Sequence, residues 1–310
     1  MEKVRLGKTE VEISPLGIGT WQWGDRVMWG FGGDYSAEDA RAAFDAALEV
    51  GIDFFDSAEV YGMGVSEKLL GRFIQESGER AVVATKFFPF PWRLTRGQLV
   101  GALRSSLKRL GQERADLYQI HQPFFLRSPE VWAEALADAV DEGLTRTVGV
   151  SNYNVEQMGR TYNTLAERGV LLASNQVNYS LLHRKPERDG LLQACRDLGV
   201  TLIAYSPLAK GMLTGKYTPE NPPPGPRRRL YPPSRLEEIQ PLIALMREIG
   251  AGHGGKEPAH VALNWLVCKG TVPIPGAKNA HHVESNAQAL GWRLTDEEMK
   301  ALDEMSAKIS

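Results

Sequence analysis

The stretch GIDFFDSAEVYGMGVSEKLLGRFIQESGERAVVATK, residues 51–86, holds the pattern that decides the fold. Its ends, IDFFDS at 52–57 and AVVATK at 81–86, are short runs nearly continuous in apolar residues, and the segment between them has helical period. A strand apolar on both faces, then an amphipathic helix, then another such strand, belongs to a parallel sheet covered by helices. The unit recurs in both directions along the chain. LGIGT at 16–20 precedes it, and ADLYQIH at 115–121, TRTVGVS at 145–151, ASNQVN at 173–178, VTLIAYS at 200–206 and GTVPIPG at 270–276 follow. Eight strands alternating with helices close most economically into an α/β fold of the (β/α)8 TIM barrel type.

The helices between these strands have readable starts. Ser36 with Asp39, Thr95 with Gln98, Ser128 before Pro129 and Asn154 with Gln157 place side-chain oxygens where unpaired first-turn amides need them. Leu99, Leu103, Leu107 and Leu110 fall on one face of 96–111, the stripe a helix needs to pack on a sheet. An N-terminal hairpin (KVRL, a turn, VEIS) precedes the barrel and C-terminal accessory helices follow it, so residues 1–310 read as one domain. The Pro- and Gly-rich stretch 216–235, KYTPENPPPGPRRRLYPPSR, breaks the rhythm as a lid or a spacer.

Bulk properties exclude some partners. A net charge of -2, a pI near 6.3 and 24% charged residues lack the clustered positive charge that nucleic acid or an anionic membrane attracts. Cys195 and Cys268 show no metal spacing and read as buried thiols, as in a reducing compartment. The opening MEKVRLGKTEVEIS lacks a basic start with an apolar run, and no segment is apolar enough to span a bilayer. A cytoplasmic protein with a small polar ligand and no metal is expected, as a monomer or weak homo-oligomer.

In such barrels chemistry gathers at the C-terminal ends of the strands. Here those ends carry Asp56 with Tyr61 five residues on, Lys86, His121, Ser151-Asn152, Asn175-Gln176 and Tyr205-Ser206. The first four form a coherent set. A tyrosine with a pKa of ~10 donates a proton poorly unless neighbouring charge stabilises its phenolate. Lys86 supplies that charge, Asp56 keeps the lysine ionised and fixed, and His121 shares the proton or holds the substrate oxygen. A lone strand-end Asp or His is as readily structural, but a lysine closing the apolar run AVVAT is expensive to bury without a partner.

These residues carry a specific resemblance. GIDFFDSAEVYG resembles the Asp-(Ser/Thr)-Ala-x-x-Tyr-Gly signature of the aldo-keto reductases, VVATK their lysine strand and DLYQIHQP their histidine strand. The likeness continues through VGVSN, NQVNYS, AYSPLAKGMLTGKY and PIPGAKN in family order, from about residue 4 to 306. It implies NADPH-dependent reduction of aldehydes or ketones to alcohols, with hydride from the nicotinamide and Tyr61 as general acid. Lys86 and Asp56 would tune Tyr61 and His121 would orient the carbonyl.

The resemblance also implies a cofactor site. Ser151, Asn152 and Gln176 would bind the nicotinamide carboxamide and Tyr205 would stack on its ring, with Asp56, Gly19, Thr20 and Trp21 alongside. The phosphates would lie against Ser206, Pro207, Leu208, Lys210, Gly211 and Lys216, where glycines let backbone amides approach. Gly276, Lys278, His282 and Asn286 would serve the 2'-phosphate and adenine end. No GxGxxG follows a strand, so a Rossmann site is not indicated. Arg227-Arg228-Arg229 is a phosphate contact or, as we favour, a solvated charge run. Two positions depart from the family: Gln122 stands where Trp is common, and Ser285 where a carboxylate is.

For the substrate, Trp21, Trp23 and Trp92 of FFPFPW at 87–92 are expected to line a pocket at Tyr61 and His121. Aromatic walls suit flat or apolar aldehydes and ketones, pyridoxal-like ones among them. Two other readings fit the same barrel: a sensor that binds NADPH without turnover, and a lyase using Lys86 as a Schiff-base nucleophile.

Overall fold

The structure, a computed structural model, describes residues 2–225 and 227–309. Within them the strands run β1 (Val4–Arg5), β2 (Glu12–Ile13), β3 (Ile18–Gly19), β4 (Phe54–Asp56), β5 (Val82–Phe87), β6 (Ala115–Ile120), β7 (Thr145–Ser151), β8 (Leu172–Asn178), β9 (Thr201–Tyr205) and β10 (Val272–Ile274). β1 and β2 pair as the antiparallel hairpin, and β3 to β10 pair in parallel, each with the next in sequence. Gly19 pairs with Gly276, and Gly17 and Gly19 donate to the carbonyls of Pro273 and Pro275, which closes the eight strands into the barrel.

The helices are α1 (Ala37–Glu49), α2 (Val65–Ser77), α3 (Arg96–Leu110), α4 (Pro129–Asp141), α5 (Val155–Glu167), α6 (Lys185–Arg188), α7 (Leu191–Leu198), α8 (Arg227–Leu230), α9 (Pro233–Gly252), α10 (Pro258–Cys268), α11 (Ala280–Ala287) and α12 (Asp296–Ala307). Reciprocal caps close the starts of α1 at Ser36/Asp39, α3 at Thr95/Gln98 and α5 at Asn154/Gln157. The four leucines of α3 are buried. Leu6, Val11 and Ile13 of the hairpin segment pack with Phe54, Val82, Ala84, Leu117, Ile203 and Val272 inside the barrel and plug its N-terminal end. Polar side chains take over toward the other end, where Asp56, Lys86, Gln119, Ser151 and Gln176 are all buried.

Cys195 is buried, and burial pushes its thiol up to about 12. Cys268 is only half-buried, because the end of α10 meets solvent there, and its thiol donates to Asn264. No helix of the described residues is long and apolar enough to cross a membrane.

Candidate active site

A cleft of about 760 Å³ opens at the C-terminal ends of the strands. Alternation along each strand decides what reaches it. Residues two apart share a face, so Phe54 packs in the barrel while Asp56 lies above it, and Leu117, Gln119 and His121 climb one wall of β6.

Lys86 is fully buried beneath the floor. Its ammonium donates to Asp56 Oδ2 at 2.5 Å, to the Ser57 carbonyl at 2.7 Å and to Tyr61 Oη at 3.4 Å. Burial opposes that charge, but Asp56 and Tyr61 outweigh it and the lysine pKa is raised. Lys86 is thus a held cation, not the free amine a Schiff base needs. Asp56 Oδ1 accepts from Gln176 Nε2 at 2.8 Å and Gln119 Nε2 at 3.2 Å.

Tyr61 follows a loop after β4, and Gly62, Met63 and Gly64 then take left-handed backbone to turn into α2. Burial raises the Tyr61 pKa and Lys86 works against that rise. The phenol therefore keeps its proton at neutral pH, while the lysine lowers the cost of giving it up. His121 lies edge-on to Tyr61, ring centroids 5.7 Å apart, and burial with the Lys86 charge pushes it down to about 3. A neutral imidazole is a hydrogen-bond donor at physiological pH and a poor acid.

Asn152 donates to the His121 carbonyl at 3.0 Å and to Ser151 Oγ at 3.1 Å, and accepts from Tyr205 Oη at 3.0 Å. Its φ of 62° is one that Asn tolerates better than most side chains. After β9 the non-glycine residues Ser206, Ala209 and Lys210 also adopt positive φ, a concentration of strain of the kind found at ligand-binding turns.

Of the cofactor residues expected from sequence, Gly19, Trp21, Asp56, Ser151, Asn152, Gln176, Tyr205, Ser206, Pro207, Leu208, Lys210, Gly211, Lys216, Gly276, Lys278, His282 and Asn286 all line the cleft. Thr20 does not: it is fully buried behind the wall, with its hydroxyl donating to the Asp56 carbonyl at 3.0 Å. Of the substrate residues, Trp21, Tyr61 and His121 line it.

Trp23 and Trp92 do not. The Trp23 amide donates back to the Thr20 carbonyl, so the chain turns and the indole enters the core between Phe55 and Phe73, with its N–H on the Ala277 carbonyl. Trp92 is 68% exposed and stacked flat on Phe90. The aromatic run is divided at the end of β5, where neighbours point to opposite sides: Phe87 enters the core and Phe88 faces the cleft. Glu59 fixes that division by accepting from the Phe88 amide at 2.6 Å and pairing with Arg93.

Sequence reasoning missed Gln22, Trp29, Glu257 and His281, which line the cleft from segments without a strand-end signal. It also favoured solvent for all three arginines of 227–229. Arg228 and Arg229 are exposed, but Arg227 turns inward because α8 carries it over the rings of Trp29 and Tyr217, where it donates to the Lys210 carbonyl at 3.3 Å.

The donor set fits a phosphate-bearing dinucleotide. Lys210, Lys216, Arg227 and Lys278 gather toward one side of the cleft, Asn286 Nδ2 and Trp29 Nε1 are buried there without a partner, and Gly276 lies where a Cβ would strike Gln22 at 1.9 Å. Such cations and open amides match anionic and purine groups. Among the described residues no group of His, Cys, Asp or Glu could hold a metal.

Known proteins resemble this chain over most of its length. Residues 15–307 match the model of the "Aldo/keto reductase family". A chloroplastic pyridoxal reductase of Arabidopsis thaliana is 44% identical over 97% of this chain and 85% of its own. An L-glyceraldehyde 3-phosphate reductase of Escherichia coli O157:H7 is 32% identical, covering 96% of this chain and 90% of its own. The solved glycerol dehydrogenase of Gluconobacter oxydans superposes with a TM-score of 0.85 at 28% identity, over 99% of this chain and 95% of that one.

Proposed function

The chain belongs to the aldo/keto reductase family, nicotinamide-dependent oxidoreductases acting on carbonyl substrates, and from that premise we propose that it reduces neutral, flat or apolar aldehydes and ketones with NADPH. The observation that carries the reading is the Tyr61 hydroxyl, 3.4 Å from a buried, ion-paired Lys86 on the floor of a cleft that His121 also lines.

Bound NADPH supplies the hydride. The chain's own residues do the rest. Tyr61 gives its proton to the carbonyl oxygen as that oxygen becomes an alkoxide, and Lys86 stabilises the phenolate left behind. Neutral His121 donates a hydrogen bond that fixes the same oxygen. Ser151, Asn152 and Gln176 offer the donors and acceptors a carboxamide needs, and the half-buried ring of Tyr205 offers a stacking face. We take residues 1–310 to act as one domain, a monomer or weak homo-oligomer, in the cytoplasm; the Arabidopsis relative bears a chloroplastic name.

The preference for an uncharged substrate follows from where the cations lie. Trp21, Phe88 and neutral Gln122 line the cleft near Tyr61 and His121. Among the described residues, the Lys and Arg side chains of the lining come from the segments after β9 and β10; of these, Arg227 and Lys278 lie against Trp29, whose ring meets Trp21 at 5.6 Å, and Trp21 is the ring stacked on Tyr61. The cation nearest the reacting carbon, Lys86, is buried and already paired with Asp56, so a substrate phosphate there would be desolvated without a free partner, which is costly.

The test is NADPH oxidation with matched pairs, pyridoxal against pyridoxal 5'-phosphate and glyceraldehyde against its 3-phosphate. We expect kcat/KM at least ~10-fold higher for the unphosphorylated member, ~1.4 kcal/mol of discrimination. A preference for the phosphates would overturn the substrate class, and tight NADPH binding without turnover across a broad aldehyde panel would overturn the activity.

Lys278 tests the cofactor. Its ammonium donates to the Trp29 carbonyl at 2.7 Å and lies over the Tyr35 ring, half-buried at the cleft edge, with burial lowering its pKa. A charged hydrogen bond to a 2'-phosphate contributes roughly 1.5–3 kcal/mol. Lys278→Met is expected to raise the KM for NADPH about ten-fold and leave that for NADH little changed, in titrations at fixed ionic strength. Equal losses for both cofactors would make Lys278 structural, and a wild-type preference for NADH would remove the NADPH assignment.

A further inference from the structure

Gln119 is fully buried on β6, two residues before His121 and on the same inward face. It stands in register with Lys86 on one side and Gly149 on the other. Its Nε2 donates to Asp56 Oδ1 at 3.2 Å, while its Oε1 is buried without a partner. An ionised carboxylate only accepts, so Asp56 dictates which end of the amide faces it. The glycine at 149 leaves space for this side chain: a Cβ there would lie 3.2 Å from Gln119 Cγ and 2.3 Å from Ser174 Oγ.

A buried amide that leaves its own oxygen unsatisfied is costly, so its retained contact needs a reason. Asp56 Oδ1 takes two amide donors, the fully buried Gln119 and the cleft-lining Gln176, and this leaves Oδ2 for the Lys86 ammonium. The two glutamines are not equivalent. Gln176 lines the cleft and is open to a ligand, whereas Gln119 does not line it and touches Asp56 whatever the cleft holds.

We propose that Gln119 is a positioning residue of the reaction, its buried amide holding Asp56 in the orientation that presents one carboxylate oxygen to Lys86. The inference rests on the carbonyl-reductase reading above. Without this donor the carboxylate can rotate, Lys86 is held less firmly, and Tyr61 loses part of the charge that stabilises its phenolate.

The experiment compares wild type, Gln119→Leu, Gln119→Glu and Tyr61→Phe for carbonyl reduction between about pH 5 and 10, with NADPH affinity measured separately by protein fluorescence. In Gln119→Leu, kcat should fall about ten-fold and its alkaline limb should move up as the Tyr61 pKa rises further, with NADPH affinity within two-fold of wild type. Gln119→Glu places a second carboxyl against Asp56, and two such groups share a proton. Protonated, it donates as the amide does; ionised, it repels. Its activity should therefore approach wild type at acid pH and fall as pH rises, an acid-favoured profile that a merely space-filling role does not produce.

Unchanged kcat and pH profile in Gln119→Leu, with or without a lower Tm, would overturn the proposal. So would parallel profiles for Gln119→Glu and wild type, which decide the matter if the leucine variant does not fold. Failure of the underlying reading looks different: there Tyr61→Phe itself retains wild-type turnover.

Discussion

Tyr61→Phe is expected to lose at least ~10²-fold in kcat for carbonyl reduction while binding NADPH with nearly unchanged affinity. The change removes one hydroxyl at the cleft floor, and general acid catalysis by a placed group is worth typically 10²–10⁴-fold. His121 cannot take over near neutrality, because burial and Lys86 push it down to about 3 and leave an uncharged ring. The same environments set the pH dependence. Tyr61 has a raised pKa, so its acid form is fully present at neutral pH and is lost only as pH climbs through a value above the usual ~10. The reduction rate should be level from about pH 5 to 8, the range in which an unperturbed histidine titrates, and fall only on the alkaline side. Stopped-flow kinetics with saturating cofactor isolates the chemical step. Wild-type-like turnover in Tyr61→Phe removes the tyrosine from the mechanism, and a limb near pH 6.5 that disappears in His121→Gln would make the histidine the acid.

Lys86→Met is expected to lower both activity and stability, and the double variant Asp56→Asn/Lys86→Met should separate the two. Lys86 and Asp56 are both essentially inaccessible to water and paired at 2.5 Å. Removing one partner of a buried pair leaves an uncompensated charge, at a cost of about 3–5 kcal/mol. With the lysine gone, Asp56 keeps only the amides of Gln176 and Gln119. Neutralising it as Asn retains an oxygen for those amides and removes the stranded charge, so most of the lost stability should return in urea melts. Activity should not return, since the cation beside Tyr61 is still missing, and kcat should stay at least ~10²-fold below wild type in both variants. If the double variant reduces carbonyls at the wild-type rate, Lys86 is a folding device and not part of the chemistry.

The barrel was legible because its cause is local. Eight apolar runs separated by helical periods with recognisable caps leave few alternatives, and each expected strand has its counterpart between β3 and β10. The placing of Asp56, Lys86 and His121 was legible for a related reason: strand ends in a parallel barrel face one mouth, and Tyr61 follows five residues after Asp56. The errors fall where the chain leaves regular structure. Trp21 and Trp23 are two residues apart and would share a face in a strand, but the turn after Thr20 sends one to the cleft and the other to the core. In FFPFPW, composition could not say which ring faces the cleft, because the Phe88 backbone is held by Glu59 from 29 residues upstream, which pairs with Arg93 beside the run.

By itself, then, the sequence determined the eight-fold alternation of strand and helix and the position of Asp56, Lys86 and His121 at strand ends, properties of period and position that each segment carries alone. Tertiary structure decided the rest. It turned Arg227 inward over Trp29 and Tyr217, engaged Lys278 with Trp29 from 249 residues away, sent Trp23 into the core, and set the Gln119 amide against Asp56. It also decided that His121 is neutral and that Tyr61 keeps its proton. Those are consequences of burial and of charges brought close in space, and both depend on neighbours that are distant in the chain.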